Sequence, residues 1–220
     1  MENQPSPLRI EPRWPVALAI LIVIGLLTLL PDRIKLLPLW FPYVLAGIIL
    51  ISMATVPLTR AKRQWLRMEG LVMFVFCLTS VVCTVISLGY LLKEMVTGSK
   101  AIDGLYLLTS SIALGIMNVL TFSLVYWRLD RGGPEARLNG SHHRSDFLFP
   151  QSSLPEEAVI GWYPTFADYL FVAFTTATAF SPTDTPPLTV RAKLLMMLES
   201  MIALITIAAV ASRAINILGS

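Results

Sequence analysis

The stretch GLVMFVFCLTSVVCTVISLGYLL, residues 70–92, contains 23 consecutive residues without a charged side chain. A helix needs about 20 mostly apolar residues to cross the hydrocarbon core of a bilayer. Three further uncharged runs surround this stretch, at 14–31, 36–59 and 104–127, and they contain 18, 24 and 24 residues. The four runs therefore predict four transmembrane helices, which we place near Trp14–Leu30, Leu39–Val56, Leu71–Leu92 and Leu105–Trp127.

The composition supports a membrane protein. Of the 220 residues, 55% are apolar and only 14% are charged, and the mean hydropathy is +0.69. An average soluble domain has about 25% charged residues and hides most large apolar patches from water. These values exclude a cytosolic enzyme, a secreted disulfide scaffold and a disordered tail. Cys77 and Cys83 lie on different faces of one helix, so we expect two unpaired apolar fillers.

The basic residues predict the orientation. If the chain crosses five times and a segment near residues 163–184 enters and returns, ten Lys and Arg residues lie on the side of the N-terminus and five on the other. The positive-inside rule then places the N-terminus and the linker 128–163 in the cytoplasm, in the plasma (inner) membrane. If that segment crosses fully, six spans result, and the count of eleven against six favours the same side.

The linker is rich in turn-forming residues and carries both histidines, His142 and His143. Two adjacent histidines without a nearby cysteine or third histidine do not make a zinc site, so a solvated loop is the better interpretation. We expect no metal, no cofactor and no enzymatic activity, because no catalytic motif is visible. The net charge of +3 is spread between the spans, which argues against nucleic acid as a partner.

The region from Thr165 to Arg213 departs from the pattern of full spans. Thr165 followed by Asp168 predicts a helix start, and the helix is expected to end near Ala177, after about 20 Å. A polar, proline-containing stretch at 180–187 follows, and then a last helix at 188–217. Non-helical backbone at membrane depth is tolerated only where protein or water satisfies it. The pattern therefore indicates a re-entrant half-helix beside a cavity.

Residues 174–184, FTTATAFSPTD, resemble the pore loop of two-transmembrane-type potassium channels, F-x-T-x-T-T-V-G-Y-G-D. Phe174, Thr176, Thr178 and Asp184 match that pattern, and residues 186–199 resemble the start of the inner helix of those channels. The resemblance covers about 50 of the 220 residues. The C-terminal region also resembles small, uncharacterised bacterial multipass membrane proteins. The resemblance implies a pore loop that works only in an oligomer, most simply a tetramer.

The chain departs from the potassium-channel pattern in the filter itself. Ser181 and Thr183 stand where the two glycines belong, and Pro182 replaces the tyrosine. A left-handed backbone at a residue other than glycine costs about 1–2 kcal/mol, so a carbonyl filter should not form in four subunits. Coordination of monovalent cations would instead fall to hydroxyls and a carboxylate. The resulting filter-like loop consists of Thr176, Thr178, Ala179, Phe180, Ser181, Pro182, Thr183 and Asp184.

Glu199 is the one acid expected near the middle of the membrane. An isolated carboxylate there costs about 2.5–3.5 kcal/mol on insertion scales, so it needs a partner or water. One interpretation makes Glu199 a pore-lining group. The other makes it an acceptor for hydroxyls or N–H groups of the re-entrant segment.

Together these observations predict an all-α membrane protein with about five transmembrane helices and a re-entrant half-helix before the last one. The predicted regions are a cytoplasmic tail (1–13), a three-helix region (14–92) and a pore-loop-like region (105–220), whose parts are a helix (105–127), a linker (128–163), a re-entrant loop (164–187) and a last helix (188–217). The leading hypothesis is a weakly selective cation pathway formed by an oligomer in the lipid bilayer. The alternatives are a non-conducting scaffold or accessory subunit and, lower, a transporter that uses the broken helix as a binding site.

Overall fold

The computed structural model describes residues 11–29, 40–58, 63–97, 104–139, 143–153, 162–178 and 184–218. Within these ranges the chain is helical and contains no strand. The helices are α1 Trp14–Leu29, α2 Trp40–Leu58, α3 Arg63–Thr97, α4 Gly104–Leu129, α5 Pro134–Leu138, α6 Pro150–Ser153, α7 Phe166–Thr178 and α8 Val190–Leu218.

Three of the described helices are long and apolar enough to cross a membrane, at Met68–Lys93, Leu108–Gly132 and Val190–Ser212. Two shorter apolar helices lie at Trp14–Thr28 and Tyr43–Met53. Apolar side chains cover the outer surfaces of these helices as well as their contacts, as expected of helices in contact with lipid. The described residues are therefore all-helical and include three helices that could span a membrane, as the sequence predicts.

Helix α4 is the centre of the bundle, because it packs against α1, α3, α7 and α8. Its C-terminal half contributes some of the largest fully buried side chains, Phe122, Tyr126 and Trp127. The Tyr126 ring meets the edge of Phe147 with the ring centroids 5.0 Å apart. This aromatic contact joins the linker after α4 to the core of the bundle.

The linker is more ordered than the sequence suggests. Instead of a plain solvated loop, the described part of 128–163 contains a 3-10 turn at Asp130–Gly132 and the short helices α5 and α6. Asp130, Phe147 and Phe149 are buried in it, so this segment closes one end of the bundle. His143 is exposed, as expected for a loop, and His142 lies outside the described residues.

Helix α3 is also longer than predicted, since it begins at Arg63 and ends at Thr97 rather than covering only 71–92. Charged residues at its ends are good helix formers, so the helix continues beyond the apolar run into both flanks. The predicted cysteine behaviour is confirmed, because Cys77 and Cys83 are both buried and unpaired.

Candidate functional site

Helices α7 and α8 begin at the same end of the bundle. In the first turn of α7, the Tyr169 hydroxyl donates to Asp130 Oδ2 at 2.6 Å. In the first turn of α8, the Arg191 guanidinium donates to both carboxylate oxygens of Asp146, at 2.7 and 2.5 Å. The Asp146 N–H donates in turn to Asp130 Oδ1 at 2.6 Å. Asp130 thus holds the start of α7, and Asp146 holds the start of α8. The hydrogen bond from the Asp146 N–H to Asp130 joins the two.

The start of α7 has the cap that the sequence predicts. The N–H and the hydroxyl of Thr165 donate to Asp168 Oδ2 at 2.7 and 2.8 Å, and the helix begins at the next residue, Phe166. An acid in the first turn also interacts favourably with the positive end of the helix dipole.

The end of α7 lies beside the middle of α8. The Ser200 hydroxyl donates to the Thr176 carbonyl oxygen at 3.4 Å, and α7 ends two residues later, at Thr178. The next described residues after α7 lie at the end of the bundle where α7 begins. There the Leu188 N–H donates to Asp146 O, and the Leu148 N–H donates to Pro186 O. Helices α7 and α8 therefore run in the same direction, with α7 only 13 residues long.

The filter-like loop is described only in part. Ala179, Phe180, Ser181, Pro182 and Thr183 lie outside the described residues. The hydroxyls of Thr176 and Thr178 donate to carbonyls of their own helix, at Val172 and Phe174, over 2.7 and 2.8 Å. Asp184 is exposed and lies two residues before Pro186, at the starting end of both helices. Within one chain, the two threonines and Asp184 are therefore not brought together.

Glu199 has a different partner from the one expected. Its side chain is 0% exposed, and the Tyr126 hydroxyl of α4 donates to Glu199 Oε2 at 2.5 Å. The Asn118 side-chain amide, also on α4, donates to the backbone oxygen of Glu199 at 3.1 Å. The acid thus connects α8 to α4, rather than accepting from hydroxyls of the α7 segment. In the sequence, the only indication of this partner is Tyr126, a tyrosine near the C-terminal end of the otherwise apolar helix α4.

A network of buried charges at the starting end of α7 and α8 was missed by the sequence analysis. The Arg137 side chain is completely buried, forms an ion pair with Glu11 at 3.3 Å and lies 4.9 Å from the centre of the Tyr169 ring. The Trp127 indole donates to Glu11 Oε1 at 3.1 Å. Burial raises the pKa of the Glu11 carboxyl above 4.5, although Trp127 and Arg137 oppose the shift.

A second part of this network connects the N-terminal segment to α3 and α5. Arg13 forms ion pairs with Glu69 and with Glu135. These residues lie in three separate parts of the chain, and the sequence shows only that each lies next to an apolar run or in a loop. Their meeting depends on the tertiary packing.

A cavity of about 390 Å³ lies between α4, α7 and α8. Its wall is almost entirely apolar, with a few hydroxyls and a glycine among the lining residues, which include Ser111, Gly115, Phe174, Thr178, Thr206 and Val210. The cavity in a single chain is therefore suited to hydrocarbon rather than to a column of water.

Among the described residues, no group of three or more His, Cys, Asp or Glu side chains could hold a metal ion. The chain matches no protein-family model, no curated protein and no solved structure. Any functional assignment therefore depends on the geometry of the chain itself.

Proposed function

We propose that the protein is a pore-loop membrane protein in which α1, α2, α3, α4 and α8 cross the bilayer and α7 is a re-entrant half-helix. The observation that carries this proposal is the parallel arrangement of α7 and α8 from one common end. Ser200 lies ten residues into α8, about 15 Å from its start, so α7 ends near mid-membrane. The N-terminus and the linker are cytoplasmic in this topology, in agreement with the excess of basic residues.

The end of α7 supports a cation pathway. The C-terminus of a helix carries a partial negative charge of about half an elementary charge, together with carbonyls that have no partner within the helix. A half-helix that ends inside the membrane directs that charge towards the bilayer centre, as half-helices do at cation sites of transporters. Thr176 and Thr178 lie in this last turn, and their hydroxyl oxygens remain able to accept or coordinate.

A pathway of this kind needs several copies, because one half-helix cannot surround an ion. The outer faces of α7 and α8 present large exposed apolar side chains, which include Phe171 and Phe174 on α7 and Met197, Met201 and Leu204 on α8. We propose that these faces meet neighbouring subunits in a tetramer and that the assembly passes monovalent cations with weak selectivity.

The oligomeric state is the first test. Native mass spectrometry of the purified protein in detergent should detect a tetramer, and a monomer as the only species would contradict the pathway. If the tetramer is present, liposomes that contain it should show cation flux, and Asp184→Asn or Thr178→Ala should change that flux. Thr28→Ala on α1 is the matched control, since its hydroxyl bonds only within its own helix, to Gly25.

The topology can be tested independently. In a background in which Cys77 and Cys83 are replaced by Ser, an impermeant thiol reagent added to intact cells should not label Ser153→Cys in α6. Lys93→Cys, near the opposite end of α3 and exposed, should be labelled. Labelling of Ser153→Cys together with no labelling of Lys93→Cys would place the linker outside the cell.

The second candidate is a non-conducting scaffold or accessory subunit that keeps the pore-loop architecture. The observation that favours it is the burial of Glu199, which is enclosed between α8 and α4 and does not face the outer surface. A tetramer without flux in the liposome experiment would support this candidate.

A further inference from the structure

An apolar groove of about 170 Å³ lies between α3, α4 and α8, the three described helices that are long and apolar enough to cross a membrane. Its lining residues Phe74, Leu78 and Leu198 are exposed, so the groove opens to the outer surface of the bundle. An apolar cavity of about 150 Å³ is large enough to hold benzene. The groove therefore has room for a segment of an acyl chain.

The α3 residues that line the groove form one stripe along the helix. They follow the spacing i, i+3, i+4 and i+7 and are Phe74, Cys77, Leu78 and Val81. Continued towards the start of α3 with the same spacing, the stripe passes Gly70 and reaches the positions of Arg67 and Arg63. This face of α3 is thus basic in sequence at its start and apolar from Phe74 onwards.

The length of the stripe matches one leaflet of a bilayer. Arg67 directly precedes the apolar span Met68–Lys93, and Val81 lies at the middle of that span. The 14 residues from Arg67 to Val81 rise by about 21 Å in a helix. Half of a bilayer, including its headgroup region, measures about 20–22 Å. The position of Arg67 is therefore at headgroup level when the groove lies in the hydrocarbon of the same leaflet.

Basic residues cluster at this end of the groove. Residues 60–68, RAKRQWLRM, contain four basic residues and no acid. The Arg128 guanidinium lies against Gly70, and no carboxylate of the described residues is within ion-pair distance of it. Glu69 is the first acid of α3, but it is buried and paired with Arg13. A cluster of four or more basic residues beside the cytoplasmic end of a membrane span attracts anionic lipid headgroups.

We propose that the groove binds one anionic phospholipid of the leaflet in which α3 begins, which is the cytoplasmic leaflet in the proposed topology. The phosphate group lies at the level of Arg67 and Arg128, and one acyl chain follows the groove towards Val81. A lipid has its charge at the membrane surface and its hydrocarbon towards the bilayer centre, and the groove has the same polarity. A soluble anion gains nothing from the apolar wall, and a zwitterionic lipid gains less from the basic end.

This site does not depend on the proposed cation pathway. It is formed by α3, α4 and α8 and requires neither the half-helix α7, nor a tetramer, nor conduction. The α8 residues that line it, Leu195 and Leu198, are not among those that we assign to the contacts between subunits.

Native mass spectrometry of the purified full-length protein in detergent tests the proposal. The protein is titrated with phosphatidylglycerol and, separately, with phosphatidylcholine that carries the same acyl chains. We expect one phosphatidylglycerol per chain, bound at least tenfold more tightly than phosphatidylcholine. Equal binding of the two lipids overturns the proposal. Displacement of phosphatidylglycerol by an equal concentration of glycerol phosphate also overturns it, because the site would then hold a free anion.

Charge variants test the basic end. The double variant Arg63→Gln/Arg67→Gln should weaken phosphatidylglycerol binding by about fivefold for each charge removed, since each basic residue near the surface contributes about that factor. Lys93→Gln is the matched control, because Lys93 is exposed and lies near the opposite end of α3; it should bind as the unmodified protein does. Unchanged binding by the double variant contradicts the proposal.

Bulky variants test the groove itself. Leu78→Trp fills the groove without a change in charge and should weaken phosphatidylglycerol binding several-fold. Val75→Trp is the matched control, because it adds the same side chain at an exposed position of α3 that does not line the groove. Equal binding by these two variants would place the lipid elsewhere and overturn the proposal. If Leu78→Trp does not fold, Leu198→Trp on the α8 wall answers the same question.

The lipid measurements and the measurements of the pathway have separate outcomes. Loss of the preference for phosphatidylglycerol leaves the tetramer and the cation flux unaffected. A monomer without flux, in turn, can still bind one lipid per chain, so the two proposals can fail separately.

Discussion

Asp146 and Arg191 form a two-pronged ion pair between the linker and the first turn of α8, with donor–acceptor distances of 2.7 and 2.5 Å. Asp146 is buried at 1% exposed, while the Arg191 side chain is 56% exposed. The pair fixes α8 at the end of the bundle where α7 also begins, and the proposed re-entrant topology depends on that common starting point.

Replacement of Asp146 tests how strongly this end of the bundle is held. Asp146→Asn should lower the free energy of unfolding by about 1 kcal/mol, a modest value because the partner arginine is half exposed and screened by solvent. The midpoint of thermal unfolding in detergent, followed by tryptophan fluorescence, is the measurement. Asp184→Asn is the control: that carboxylate is exposed, and we expect a change below about 0.5 kcal/mol. Equal losses in the two variants would contradict this role for Asp146.

Gly70 allows α3 to approach the end of α4. A methyl group at this position would overlap the guanidinium of Arg128. Gly70→Ala should therefore push the flexible end of the Arg128 side chain aside and lower stability slightly, by less than the roughly 1–3 kcal/mol that overpacking costs where the neighbour cannot move. Gly89→Ala in the same helix is the control, because nothing lies within 4 Å of its added carbon. That change should be neutral or slightly stabilising, since alanine favours a helix by about 1 kcal/mol over glycine. Unfolding midpoints that move together would show that helix propensity, not the Arg128 contact, sets the effect.

Tyr126→Phe removes the hydroxyl that donates to Glu199 Oε2 and leaves a second buried carboxylate oxygen unpaired. An unsatisfied buried acceptor costs about 1–3 kcal/mol, and more if it is charged, so we expect a clear fall in the unfolding midpoint. Tyr90→Phe on α3 removes an exposed hydroxyl and serves as the control. No difference between the two variants would mean that the Tyr126–Glu199 bond contributes nothing to the packing of α4 against α8.

Glu11 should make stability depend on pH. Burial raises the pKa of this carboxyl in the folded protein above the ordinary value of 4.5, so the folded state holds a proton over a range of pH in which the unfolded state has lost it. Stability therefore falls as the pH rises from about 4.5 through the raised pKa. The measurement is the unfolding midpoint of the unmodified protein and of Glu11→Gln as a function of pH. Across this range the midpoint of the variant should change less steeply with pH. Parallel profiles would show that Glu11 has the same pKa in both states.

The membrane-spanning helices follow from the sequence because apolarity over about 20 residues is a local property. The predicted start of α1 at Trp14 and the cap of α7 at Thr165 agree with the structure for the same reason, since a cap involves only neighbours along the chain. The sequence predicts an α3 that is too short at both ends, because a helix with charged flanks continues beyond its apolar run where no residue stops it.

The sequence by itself determined that the described part of this chain is helical, that several helices are apolar enough for a membrane, and that a short, hydroxyl-rich helix precedes the last one. Only the tertiary structure decided the partners: Glu199 with Tyr126, Arg137 with Glu11, and Arg191 with Asp146. The physical reason is range. The apolarity of a helix is set by its own side chains, whereas a buried polar or charged side chain is stabilised by a group that is close in space and, for these three pairs, between 45 and 126 residues away along the chain.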